Sequence, residues 1–106
     1  MNFITVAVSS SAGGDIAAIA AQGATTCIRI RRIALSNGAA AAQAVIFKDG
    51  ATALTGAMSL PSSIGGLFFM DSGGGEPLFT LSQNTAFNIN ASGATLLTGF
   101  VQYTLG

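Results

Sequence analysis

Residues 26–36 read TCIRIRRIALS and carry the clearest β-strand pattern in the chain. The isoleucines at the third and fifth positions of this segment share one face, because alternate side chains of a strand point to opposite sides. Beyond Arg32 the parity is reversed, so that Ile33 and Leu35 fall on the other face. One extra residue near Arg31 and Arg32 returns all four apolar side chains to one face. The segment therefore predicts a long strand with a β-bulge at this point.

Short segments of the same kind recur along the rest of the chain, separated by glycine, asparagine, aspartate and serine. The candidate strands occupy residues 3–8, 15–22, 43–48, 51–60, 64–70, 77–82, 86–90 and 95–105. Residues 51–60 read as two short pieces on an irregular edge, ended by Pro61. This spacing predicts an all-β fold, an antiparallel β-sandwich or jelly-roll-like barrel of about eight short strands. The pattern does not determine the strand order, because these architectures share it.

Two segments each allow two interpretations. Residues 15–22 (DIAAIAAQ) form either a short helix capped by Asp15 or an alanine-rich strand, and we favour the strand because the surrounding segments are β. The serine- and glycine-rich residues 9–14 separate the first strand from the rest. Residues 1–14 are therefore either an N-terminal arm that pairs away from the main body or the ordinary first strand. Residues 15–106 form the β-sandwich domain.

The composition limits the functions that the chain can have. Its 106 residues fit one compact domain, and 50% of them are hydrophobic, which is enough to bury a core. Only 8% are charged, and four basic residues balance four acidic ones, so no basic surface for nucleic acid is expected. Either small polar residues keep such a surface soluble, or neighbouring chains cover part of it. We favour association with neighbouring chains.

No arrangement of side chains predicts catalysis or a metal site. The chain has no histidine, and its single cysteine, Cys27, precedes an apolar run and reads as a small buried side chain. The four acidic residues are scattered, mostly in turns, and are not spaced as a catalytic pair or a calcium loop. Glu76 and Pro77 follow the triple glycine and do not suit a phosphate loop. The sequence therefore predicts no enzyme, no cofactor and no metal.

Adjacent apolar residues in two strands predict apolar surface outside the core. Phe68 and Phe69 point to opposite sides of a strand, as do Leu96 and Leu97. One member of each pair can enter the core, and the other needs a loop, a second layer or a partner subunit to cover it. Burying one such side chain contributes roughly 1.5–3 kcal/mol, so that two or three of them matter to association.

The charged and apolar segments indicate which partners to expect. Three of the four positive charges lie close together, at Arg29, Arg31 and Arg32. They form a solvated face, contact acidic groups of a partner or bind nucleic acid, and the last is disfavoured because few aromatic side chains lie beside them. No apolar run is long enough for a membrane span, and residues 1–4 lack the basic stretch of an export signal. We therefore expect synthesis in a cytoplasm, with neither nucleic acid nor membrane as partner.

Three stretches follow an order found in a known group of proteins. They are residues 28–38 (IRIRRIALSNG), 45–61 (VIFKDGATALTGAMSLP) and 87–103 (FNINASGATLLTGFVQY). Their order is a strand, an Asp-Gly turn, Thr-Ala-Leu-Thr-Gly, a glycine-rich loop and a closing strand with an aromatic end. This order resembles that of small β-sandwich head decoration (cement) proteins of tailed bacteriophages. The resemblance covers residues 15–105 and includes no active-site motif.

The resemblance implies a non-enzymatic virion structural protein that binds the outside of an icosahedral phage head. Such proteins commonly bind as homotrimers, bridge subunits of the major capsid protein and stabilise the shell. The expected location is the capsid exterior, after synthesis in the host cytoplasm. On this hypothesis the subunit or shell interface includes Phe68, Phe69, Arg29, Arg31, Arg32, Phe3, Ile4 and Val6.

The alternative is a phage fibre or tail module that binds a host-surface receptor or glycan. Sugar-binding sites favour exposed aromatic side chains surrounded by polar groups. The chain has no tryptophan, and Tyr103 is its single tyrosine, which weighs against this alternative.

Overall fold

The structure, a computed structural model, describes residues 3–38, 42–60, 67–73, 75–93 and 96–106. Within these residues it consists of β-strands joined by turns and loops, without a helix. The strands are β1 (Ile4–Ser10), β2 (Gly14–Ile19), β3 (Ile28–Asn37), β4 (Gln43–Asp49), β5 (Thr52–Ala53), β6 (Met58–Leu60), β7 (Leu67–Asp71), β8 (Phe79–Thr80), β9 (Phe87–Ala91) and β10 (Leu97–Leu105). The all-β fold class predicted from the alternating pattern is confirmed.

The strands form two antiparallel sheets that pack against each other. Sheet A has the order β1-β10-β3, and β7 and β8 follow one another along the free edge of β3. Sheet B has the order β2-β9-β4, with β5 and β6 along β4. The pairs are nested: β1 with β10, β2 with β9, β3 with β7 and β8, and β4 with β5 and β6. This nesting is the double Greek-key arrangement of a jelly roll.

The bulge predicted in β3 is confirmed. Gln102 of β10 lies opposite Arg32, whereas the next residue, Tyr103, lies opposite Ile30, so that Arg31 has no partner on β10. The four large apolar residues of β3, two before and two after the bulge, are accordingly all buried in one core. The bulge also coincides with the place where the strand next to β3 changes from β7 to β8.

The core lies between the two sheets and has an aromatic centre. Phe47 of β4 is fully buried. Its ring centroid is 6.1 Å from that of Phe68 and 6.2 Å from that of Phe79, both in sheet A, and 5.8 Å from that of Phe87 in sheet B. These tilted ring contacts join the sheets. Around them, the described residues contribute fully buried aliphatic side chains: Ile28, Ile30, Ile33, Leu35, Val45, Leu60, Leu81, Ile89, Leu97 and Val101.

Two less regular segments also take the structure expected of them. Strand β2 confirms the strand interpretation for residues 15–19, whereas residues 20–22 have no regular secondary structure. Residues 51–60 contain two short strands as predicted, β5 and β6, and both pair with the edge of β4. Pro61 and residues 64–66 of the predicted strand 64–70 lie outside the described residues, and the rest of that strand is β7.

The first strand is an edge of sheet A. β1 pairs with β10 along its whole length, from Ile4 opposite Tyr103 to Ser10 opposite Leu97. The described part of residues 1–14 therefore takes the second of the two interpretations, an ordinary first strand of the sheet. The chain then crosses to sheet B, where β2 begins.

Candidate interaction surface

The outer face of sheet B is polar, and its two charged side chains are already paired. The Asp15 carboxylate accepts hydrogen bonds from Lys48 Nζ, at 3.1 and 3.2 Å, and from Asn90 Nδ2, at 2.7 Å. Beside them, Asn88 Nδ2 donates to the carbonyl oxygen of Gly50 over 2.9 Å. The hydrogen bond from Asn90, followed by that from Lys48, lowers the pKa of Asp15 below its ordinary value. The charged and amide side chains of this face therefore have hydrogen-bond partners within the chain.

The outer face of sheet A carries an apolar row. The strand register places Ala7, Phe100, Ala34 and Phe69 side by side across β1, β10, β3 and β7. Phe69 is 53% exposed, whereas Phe68 packs inward against the core. The prediction that these two rings point to opposite sides of their strand is confirmed.

Two further large apolar side chains are exposed on the same side of sheet A, each separated from the apolar row by a row of polar residues. Phe3 precedes β1 and is 40% exposed, and Leu96 precedes β10 and is 47% exposed, while Leu97 is buried. Strand alternation places both Phe3 and Leu96 on the outer side of sheet A. We call Phe3, Phe69, Leu96 and the half-buried Phe100 the apolar face. Three of the five large hydrophobic side chains that are exposed among the described residues belong to it.

A row of hydrogen-bonded polar side chains crosses sheet A next to the apolar row. Arg32 is central: its Nε lies 3.1 Å from Asp71 Oδ2, and its Nη1 donates to Gln102 Oε1 over 3.2 Å. Gln102 Nε2 in turn donates to the hydroxyl of Thr5 over 3.1 Å. The guanidinium carbon of Arg32 lies 5.8 Å from the centroid of the Phe3 ring, at cation–π distance. The backbone amide two residues after Asp71, followed by Arg32, lowers the pKa of this carboxyl below its ordinary value.

Beyond this polar row, the bulge in β3 opens onto a cleft. Arg31, the extra residue of the bulge, is buried, and its Nε donates to Thr104 Oγ1 over 3.1 Å. Its Nη1 donates to the carbonyl oxygen of Gly75 over 2.8 Å, which attaches the loop between β7 and β8 to the bulge. The cleft has a volume of about 360 Å³ and is lined by Arg29, Arg31, Gly75, Glu76, Pro77 and Thr80.

The structure divides the residues predicted for an interface between the surface and the core. On the outer side of sheet A lie Phe3, Phe69, Arg29 and Arg32, with Arg31 in the wall of the cleft. Phe68 and Val6 are partly buried and pack against the core. Ile4 is exposed, but it lies on the inward-facing row of β1, opposite Tyr103.

Sequence reasoning missed several residues of this surface. Phe100, Gln102 and Thr104 of β10 lie between the predicted residues of β1 and β3, and Thr80 of β8 lies opposite Arg29. Alternation along the closing strand does signal that its even-numbered residues point outward. Only the strand order shows that they lie beside β3.

Other functional groups add little to this surface. The part of the chain that the structure describes contains no group of three or more histidine, cysteine, aspartate or glutamate side chains able to hold a metal ion. Within the same residues, no helix is long and apolar enough to cross a membrane. Cys27 is a free, half-buried thiol.

Comparisons with protein-family models, curated proteins and solved structures gave no match. The outer face of sheet A is therefore the candidate functional site.

Proposed function

We propose that this chain is a non-enzymatic structural protein of a virus particle. In this proposal it is a decoration protein that binds the outside of an icosahedral phage head as a homotrimer and stabilises the shell. Its partners are further copies of itself and the major capsid protein. The observation that carries the proposal is the apolar face of sheet A, because exposed aromatic surface on a folded domain is typical of protein contacts.

The contrast between the two outer faces supports a contact through one side of the molecule. Both outer faces carry paired polar side chains, but among the described residues only the outer face of sheet A also presents large exposed apolar side chains, Phe69, Phe3 and Leu96. Both faces belong to a packed sandwich, so that the surface is preformed and costs little ordering on binding.

The topology supports the proposal by analogy alone. Jelly rolls form viral capsid domains, and they also form lectin and cupin domains, so the fold does not define the function. The head location and the trimer come from the resemblance of residues 28–38, 45–61 and 87–103 to decoration proteins. A trimer suits the role physically, because several weak contacts made at once add through multivalency.

A copy count tests the proposal most directly. Quantitative mass spectrometry of purified particles from the source measures the number of copies of this chain relative to the most abundant shell protein. We expect a number comparable to that of the shell protein. A handful of copies per particle would refute decoration in favour of a fibre or tail module. Complete absence from particles would refute any virion role.

Substitution of Phe69 tests the apolar face itself. Complete burial of a phenylalanine contributes roughly 1.5–3 kcal/mol, and about half of this ring is exposed. Phe69→Ser is therefore expected to weaken each contact by about 1 kcal/mol, or about fivefold in Kd. Sedimentation of the free chain measures self-association, and cosedimentation with particles that lack the chain measures attachment.

A matched control lies on the opposite side of the sandwich. Ile46 is a half-buried apolar side chain on the outer face of sheet B, opposite Asn90. Ile46→Ser is expected to leave self-association and attachment unchanged. If Phe69→Ser associates and attaches as well as Ile46→Ser, the apolar face is not the interface.

A further inference from the structure

The cleft at the β3 bulge contains a buried positive charge without an acidic partner. Arg31 is only 4% exposed. The ion pairs among the described residues use other cations, Arg32 and Lys48, and include neither Arg31 nor Arg29. Burying a charge without a counter-charge is costly, because the charge loses its hydration. Arg31 therefore favours the binding of an anion beside it.

The guanidinium of Arg31 is held in place by neutral groups. Its Nε and Nη1 donate to Thr104 Oγ1 and to the carbonyl oxygen of Gly75. Within the described residues, Nη2 donates to no acceptor. A guanidinium has five N–H donors in a planar fork that matches a carboxylate. The side chain is thus oriented before any ligand binds and retains unused donors where it lines the cleft.

The other walls of the cleft suit a single carboxylate. Arg29 lies opposite Thr80 where β3 pairs with β8, so a second guanidinium and a hydroxyl line the same space. Glu76 lines it too, and the charges of Arg29, Arg31 and Glu76 leave one net positive charge. One net positive charge is neutralised by a singly charged group such as a carboxylate, which a guanidinium can bind through two parallel hydrogen bonds. None of the described residues around the cleft is aromatic, which disfavours a sugar.

We propose that this cleft binds a carboxylate, supplied in the assembled particle by an aspartate or glutamate side chain of a neighbouring protein subunit. The choice of a protein as the source rests on the proposed function, whereas the carboxylate site itself does not. The cleft and the apolar face share the outer side of sheet A. One partner surface can therefore meet both, with apolar contacts giving affinity and the acidic residue fixing orientation.

The carboxylate site is tested on the free chain with sodium acetate as the probe. The chain has three arginines, so their Nε–H signals can be followed individually by NMR of isotopically labelled protein. Acetate replaces chloride at constant ionic strength. We expect saturable shifts of the Arg29 and Arg31 signals, with a Kd on the order of 1 mM, and none for Arg32. An unsaturated drift shared by all three signals would overturn the site.

Two variants on the same strand separate binding from general charge effects. Arg29→Gln removes an exposed cation of the cleft, and Arg32→Gln removes a cation that is paired with Asp71 outside it. We expect Arg29→Gln to raise the acetate Kd at least about fivefold and Arg32→Gln to change it less than about twofold. Equal acetate affinity in the two variants would overturn the site. Both substitutions leave the buried Arg31 in place, so folding of the bulge is retained.

The source of the carboxylate is tested with glucuronate and with particles. We expect glucuronate to bind no more tightly than acetate. We expect Arg29→Gln to attach to particles more weakly than Lys48→Gln, which removes a cation from the outer face of sheet B, away from the apolar face and the cleft. Glucuronate binding more than about tenfold tighter than acetate would assign the cleft to an acidic sugar instead. Equal attachment of the two variants would also overturn a protein source. The copy number of the natural chain on particles depends on neither result, so the proposed function stands or fails separately.

Discussion

Replacement of Gly99 by alanine tests how closely β10 approaches β3. Gly99 has a φ of +150° and lies opposite Leu35 in the middle of sheet A. A methyl group on Gly99 would overlap the carbonyl oxygen of Ala34. It would also lie 2.8 Å from the carbonyl carbon of Ala34 and 2.9 Å from the Cα atom of Leu35. These atoms belong to the backbone of β3, so they cannot move without disturbing the pairing of both strands.

Two costs determine the size of the effect. An L-residue held at a sparsely populated backbone conformation costs about 1–3 kcal/mol. Insertion of a methyl group into a packed site costs about 1–3 kcal/mol more. The free energy of unfolding is therefore expected to fall by about 2–6 kcal/mol in Gly99→Ala, against a total of about 5–15 kcal/mol for a typical domain.

Urea unfolding followed by circular dichroism measures this loss, with Gly56→Ala as the matched control. Gly56 lies between β5 and β6, and a methyl group there meets no atom within 4 Å. The control is expected to change the free energy of unfolding by less than about 1 kcal/mol. A lower midpoint with an unchanged slope would show a loss of native stability in Gly99→Ala. A loss no larger than that of the control would refute the close approach of the two strands.

Two further predictions concern the core and the surface carboxylates. Phe47→Ala removes the ring that joins the sheets and is expected to cost about 3–5 kcal/mol in the same urea assay, whereas Phe69→Ala at the exposed ring should cost less than about 1 kcal/mol. Equal losses would contradict the central position of Phe47. The pKa values of Asp15 and Asp71 lie below the ordinary 3.8 in the folded protein, so their contribution to stability is fully present above that value and is lost as the pH falls through the folded pKa. In thermal unfolding, the advantage of the natural chain over Asp15→Asn should hold from neutral pH to about pH 5 and shrink below 3.8. An advantage that is unchanged in acid would contradict the ionised pairing of Asp15.

The order of side chains within each segment was enough to predict the strands and several of their details. The parity change in residues 26–36 indicated the bulge, and the structure has it at Arg31. The doublets at Phe68 and Leu96 each divide between the core and the outer surface, as expected from their adjacency. These features were predictable because the side to which a residue points in a strand depends only on its neighbours in the chain.

Partnerships between distant segments were not predictable in this way. Arg32 and Gln102 are hydrogen-bonded although they are 70 positions apart. Arg31 meets Thr104 and Gly75 only because β10 and the loop after β7 lie on opposite sides of β3. An unpaired arginine in an alternating strand reads as a solvated residue until its neighbours are known.

The sequence by itself determined that this protein is all-β, approximately where its strands lie and which side chains within a strand share a face. The tertiary structure alone decided the nested strand order, the gathering of the apolar face on sheet A and the cleft beside the bulge. The physical reason is that alternation is a local property of the backbone, whereas the choice of neighbouring strands depends on packing across the whole core. Many pairings satisfy the same alternation, whereas the pairing found places β10 between β1 and β3 and packs the two sheets around Phe47.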